Sequence, residues 1–204
     1  QLVRDARQHG VEVRPADVNF SAWDCTLEPA SQGNGHRFAV RLGFRQIQGL
    51  NKDELGGLVA ARGNGYASIE RLAAMAGVPR FTIERLAEAD AFRSLGLDRR
   101  EALWTARRLG TIGIKAGGGR RKAPADGDGP LPLLAPHMSD ELFPEPEVAL
   151  PAMPLCEHVA EDYVTTGLSL KEHPATFFRE RLTRLGARRN AETRGEALAQ
   201  NCTI

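Results

Sequence analysis

The sequence predicts a mainly α fold with a small β portion. Three observations carry this. Between Asn51 and Leu109, apolar residues recur at helical spacing in four short stretches. Phe38, Val40, Leu42 and Phe44 recur at period two, the pattern of a half-buried strand. After Leu109 a long Gly- and Pro-rich stretch breaks every period. The chain has 204 residues, room for one or two domains, and 42% hydrophobic residues, enough for a core.

The elements follow in order. LVRDARQHG reads as a short helix, with Gly10 past its last turn as the stop. It has no N-cap before Leu2, so the chain is expected to be cut from something longer. VEVRPADVN is extended, and Pro15 keeps it out of a central strand position. HRFAVRLGFRQI is the strand, with Phe38, Val40, Leu42 and Phe44 expected on one face. Four helical stripes come next: Leu55, Leu58 and Val59; Ile69, Leu72 and Ala73; Ile83, Leu86 and Ala87; Ala102, Leu103 and Ala106. GNGYAS, AGVPRFT and SLGLD separate them, giving a compact helical module.

GTIGIKAGGGRRKAPADGDGPLPLL is charged and almost free of aromatics, so it reads as a flexible linker. EHVAEDYVTTG suggests a helix stopped at Gly167, and Pro174 suits the first turn of another containing Phe177, Phe178 and Leu182. Five segments result: 1–44, 45–110, 111–150, 151–187 and a polar tail, 188–204.

The turn in RQIQGLNKDELGGLVAAR carries the most chemistry. Gly49 tolerates positive φ, Asn51 is a good N-cap, and Glu54 stands at the capping-box position. The unsatisfied N–H groups of that helix start offer a seat for a phosphate oxygen, and Lys52 adds positive charge. Asp53 and Glu54 in the same turn oppose an anion, so the residues alone leave phosphate seat and ordinary turn both open. AGVPRFTIERLAEA repeats the design, with Gly77, Val78 and Arg80 in the places of Gly49, Leu50 and Lys52. Two such hairpins in tandem form a candidate clamp on a DNA backbone, reading shape and charge rather than bases.

The net charge of +1 hides an uneven distribution. Residues 99–122 hold eight Arg or Lys and one Glu, whereas residues 126–147 hold six Asp or Glu and no base. The basic block adds Arg99, Arg100, Arg107, Arg108, Arg120, Arg121 and Lys122 as possible phosphate contacts.

Other chemistry finds little support. Asp126-Gly127-Asp128-Gly129 resembles the start of a calcium loop, but Pro130 interrupts it and His137 stands at its twelfth position. GIKAGGGRRK lacks the spacing of a phosphate-binding loop and the strand before it. Cys156 and His158 have no second ligand pair, so no metal is expected. No Ser–His–Asp or GxSxG pattern appears, so no catalytic residue is assigned. Cys25, Cys156 and Cys202 make no disulfide framework, which points to a reducing, cytoplasmic setting, and no run is long and apolar enough to span a membrane.

These residues resemble a known family. QLVRDARQHGVEVRPADVNFSAWDCTLE is similar to the end of the fingers in bacterial C-family DNA polymerases. VRLGFRQIQGLNKDELGGLVAARGNGYASIERLAAMAGVPRFTIERLAEADAFRSLGLDRREALW resembles the tandem helix-hairpin-helix region that follows. AEADAFRSLGLDRREALW together with EDYVTTGLSLKEHPATFFRERL resembles the error-prone, damage-inducible branch. One departure is Asn51, where many relatives carry Gly.

The resemblance implies that 1–44 ends a fingers domain, 45–110 is a DNA-binding module, and 151–187 precedes an OB-fold. It further implies a DNA-directed DNA polymerase acting in translesion synthesis, repair and replication. Its palm, with paired Asp and two Mg²⁺ ions, would lie outside this chain, so no cofactor is expected here. The implied partners are duplex or primer–template DNA and, for the parent, a sliding clamp and translesion accessory proteins. A stand-alone sequence-independent DNA-binding module and a protein-interaction segment without DNA contact remain alternatives.

Overall fold

The structure is a computed structural model that describes residues 2–31, 37–109 and 150–188. The expected linker and tail therefore lie outside the described residues, apart from residues 150 and 188. The architecture is mainly α with one small sheet. Helix α1 (Leu2–Gln8) leads into strand β1 (Val13–Arg14), followed by β2 (Thr26–Pro29) and β3 (Phe38–Arg41). Helices α2 (Lys52–Ala61), α3 (Ile69–Ala76), α4 (Arg80–Glu88) and α5 (Arg99–Arg108) form the module. Then come α6 (Leu155–Thr166), α7 (Pro174–Phe177) and α8 (Arg179–Arg184).

In the sheet β3 is central, parallel to β1 and antiparallel to β2. The face expected for β3 is corrected. Ala39 and Arg41 are its buried positions, while Phe38 is exposed and Val40 is intermediate. The alternation misleads because the strand ends at Arg41. Leu42 and Phe44 are buried after the chain has left the sheet, Phe44 in a single 3-10 turn over Phe44–Gln46. Arg41 can turn inward because its guanidinium meets both oxygens of Glu28 at 2.9 Å and the carbonyl of Pro15 at 3.0 Å. Strand β2 has a largely exposed face, so it carried no apolar period to read.

The helical stripes bury as their spacing predicts. Leu55, Leu58, Ile69, Leu72, Ile83 and Leu86 are fully buried in one cluster. Ala16, Val18, Phe44 and Ile47 belong to the same cluster, so the core crosses the expected boundary between residues 44 and 45 without a break. Backbone and side-chain bonds reinforce the continuity. Val18 N donates to Ala91 O, Tyr66 N to Asn19 Oδ1, and the Arg62 guanidinium to Ser21 O.

Helix ends follow local chemistry. Asn51 caps α2 by accepting from Asp53 N at 2.9 Å, and Ser68 caps α3. The capping box expected of Asn51 and Glu54 is not formed, because Glu54 bonds to α4 instead. A capping box does form at Asp98 and Glu101, opening α5. Gly167 ends α6 in the left-handed region, as expected. The single helix expected after Pro174 is two short ones, broken at Phe178.

Two glycines give opposite expectations. Gly43 is buried, and a Cβ there would overlap the backbone of Trp23 and Asp24. Gly56 lies within α2 with nothing near the place a Cβ would take. Gly43→Ala is expected to destabilise by about 1–3 kcal/mol through overpacking. Gly56→Ala is expected to stabilise by about 0.5–1 kcal/mol through reduced chain entropy in a helix. Urea unfolding of the two variants checks both signs.

Candidate nucleic-acid interface

The two hairpins are built alike. Gly49 has φ +81° and Gly77 has φ +60°, so each turn uses the left-handed conformation that glycine adopts without strain. An apolar residue follows each glycine and anchors the turn: Leu50 is part-buried against the core, and Val78 is 2% exposed. Next comes the N-cap, Asn51 or Pro79, and then the first helical residue, Lys52 or Arg80.

Structure adds what spacing alone does not contain. Thr82 Oγ1 donates to Glu54 Oε2 at 2.5 Å. Both residues are third in their helices, so this bond holds the first turns of α2 and α4 side by side. A Cβ at Gly49 would lie 3.6 Å from Arg85 Nε, which places the first turn beside α4 as well. Gly49, Leu50, Asn51, Lys52, Gly77, Val78 and Arg80 are thus brought into one neighbourhood. The bond also occupies the Glu54 carboxylate, one of the two acidic groups expected to oppose phosphate.

The hairpins are chemically unequal. In the first, Asn51 takes the amide of Asp53, and the Asp53 carboxylate stays exposed in the first turn. In the second, Pro79 has no side-chain cap, and Phe81 stands where Asp53 stands in the first. The start of α4 therefore has neither a competing side-chain cap nor a carboxylate at its second position, two features that would otherwise oppose an anion. Lys52 is exposed, whereas Arg80 Nε donates to Glu84 Oε1 at 2.6 Å.

The basic block divides. Arg99 is 3% exposed and donates to Asp162 and to the carbonyl of His158. Arg100 donates to Glu157 at 2.7 Å and to the carbonyl of Pro151 at 2.9 Å. Both arginines tie α6 to α5; burial corrects Arg99 from a phosphate contact to a structural anchor, whereas Arg100 is half-buried in a surface ion pair. Arg107 and Arg108 are exposed in the last turn of α5. Arg120, Arg121 and Lys122 lie outside the described residues, as does the Asp126 loop. Lys171 joins the anchor by reaching Asp162 and Asp90. Asp90 has φ +60°, an unusual conformation for a non-glycine residue, and ends α4 facing this network.

Burial and the neighbouring Lys171 charge hold the His158 imidazole below its ordinary pKa. Among the described residues no group of three or more His, Cys, Asp or Glu is placed to hold a metal ion, and no helix is long and apolar enough to cross a membrane.

Comparison with known proteins agrees with this geometry. The helix-hairpin-helix motif family matches residues 10–102. An error-prone DNA polymerase of Mesorhizobium japonicum is 49% identical over 94% of this chain. Another from Sinorhizobium medicae is 43% identical over the whole chain, and one from Caulobacter vibrioides is 48% identical over 91% of it. The chain belongs to the error-prone DNA polymerase family. It spans 17% or 18% of the length of these relatives. Within that family, this segment contributes a helix-hairpin-helix module.

The anchor yields a prediction. Asp162→Ala leaves Arg99 buried without its carboxylate and is expected to destabilise by about 3–5 kcal/mol. His158 adds a pH dependence. Its folded pKa is depressed, so the unfolded chain takes up the proton first. Stability should fall as pH drops below about 6.5 and should lose that component in His158→Gln. Urea unfolding between pH 5 and 8 measures both effects.

Proposed function

We propose that this chain is the DNA-gripping segment of an error-prone, DNA-directed DNA polymerase. It holds duplex or primer–template DNA by the backbone through its two hairpins. The whole protein then acts in the cytoplasm, copying past lesions during repair and replication. Nucleotidyl transfer and its Mg²⁺ belong to a palm elsewhere in the polymerase, so this chain alone is expected to extend no primer. The sliding clamp and translesion accessory proteins are proposed partners of the whole enzyme. Exposed Tyr163, Val164, Phe177 and Phe178 on α6–α8 are the apolar side chains this segment offers them.

The observation that carries the reading is the Thr82–Glu54 bond. It links the first turns of α2 and α4, and this supports reading the two helix starts as two phosphate seats on one DNA backbone. Lys52 supplies charge at the first seat and Arg80 at the second, in competition with Glu84. Specificity is not expected, because amides and ammonium groups meet phosphate oxygens without reading base edges.

Salt titration of duplex binding tests this. Each neutralised phosphate contributes about −0.9 to the log–log slope, so Lys52→Ala should flatten it by up to roughly one unit. Arg80→Ala should do less, since Arg80 is already paired. Glu84→Gln frees Arg80 and should tighten binding. Gly77→Val forces a β-branched residue to positive φ and should weaken both fold and binding. Unchanged binding in all four variants would leave the hairpins as packing elements only.

A further inference from the structure

Phe81 is not explained by a backbone grip. It is the second residue of α4, and it is 54% exposed at the tip of the second hairpin. Met75, near the end of α3, is another large apolar residue exposed beside the same turn. Helical side chains tilt toward the N-terminus, so a ring at this position projects toward the surface where the paired helix starts lie. The Arg85 guanidinium sits over the ring, 5.1 Å from its centroid. Arg85 is itself held by Glu88 at 2.9 Å and packs beside Gly49. One ring face is therefore backed by a cation held in place, while about half of the residue remains open to solvent.

We infer that Phe81, backed by Arg85, is a stacking platform for an unpaired nucleobase at the edge of the duplex held by the hairpins. This inference rests on the backbone-grip reading. Three features favour a base over a protein partner. A single aromatic ring matches the face of one base, whereas protein docking needs a contiguous patch of several hundred Å². Aromatic stacking beside Arg is the chemistry by which proteins hold single-stranded nucleic acid without reading sequence. And the first hairpin carries Asp53 at the matching position, so only the second can stack. The two hairpins then have divided roles. The first contacts duplex phosphate alone, and the second contacts phosphate plus the first base beyond pairing.

The test is equilibrium binding by fluorescence anisotropy with the full 204-residue chain. The probes are a blunt duplex, oligo-dT and a primer–template with a short single-stranded template end. Phe81→Leu keeps an apolar side chain but removes the ring, and Phe81→Tyr keeps the ring. Phe81→Leu should weaken binding to oligo-dT and to the junction by about 5- to 100-fold. It should change blunt-duplex affinity less than about 2-fold, a margin small against the stacking effect. Phe81→Tyr should restore both preferences. Equal loss on all three probes would overturn stacking in favour of a wedge into the duplex. Wild-type affinities for all three in Phe81→Leu would overturn it outright. If wild-type protein binds the blunt duplex with a steep salt slope while Phe81→Leu changes nothing, only the stacking inference fails. If wild-type protein binds no probe, the grip itself fails.

Discussion

The hydrogen bond from Thr82 to Glu54 is the constraint on which the candidate site depends. Each hairpin by itself is an ordinary device: a left-handed glycine, a buried apolar anchor, a helix start. Their alliance requires that the first turns of α2 and α4 lie together, and these two side chains bridge them. Thr82 is nearly fully buried, so its hydroxyl needs a partner, and Glu54 supplies it at the cost of its own capping-box bond. The bond thus explains two facts together. The capping box is missing from α2, and one of the two carboxylates of that first turn is engaged by α4 while Asp53 stays exposed.

Positive charge in this chain divides between holding the fold and facing solvent. Arg41, Arg99 and Arg100 face carboxylates and carbonyls within the molecule, and each joins two elements distant in sequence. Arg99, Lys171, Asp90 and Asp162 tie α6 and its following loop to the ends of α4 and α5. A buried guanidinium with a carboxylate and a carbonyl as partners is costly to expose, so Arg41 and Arg99 are unavailable to DNA. At the two helix starts themselves the charge offered is modest, Lys52 in the first and a contested Arg80 in the second. A grip built this way relies on backbone amides and glycine turns, and electrostatic attraction alone would not define it.

Much of this was legible in the sequence, and the gaps have physical reasons. The four helices of the module were visible because each buries one stripe, and helical period records that directly. Gly49, Gly77 and Gly167 were legible as turn glycines because few residues tolerate positive φ. The face of β3 was misread because a strand of four residues leaves too little period to fix its phase. Strand β2 was missed because it buries almost nothing. Arg99 was misassigned because composition counts charge without showing which carboxylate lies across from it, and its partner Asp162 is more than fifty residues away. The Glu54–Thr82 pairing is likewise a contact between elements. The inequality of the two hairpins, Asp53 in one and Phe81 in the other, went unread because only the glycine, the apolar residue and the first basic residue had been matched.

The central claim is that the two hairpin tips meet the DNA backbone together. Amide chemical shifts followed during titration with a blunt duplex test this most directly, because the amides are the proposed contacts. The account predicts that Lys52, Glu54, Arg80 and Phe81 amides shift in concert with one dissociation constant, while those of α6 stay in place. Shifts confined to α6–α8, or to one hairpin without the other, would contradict it.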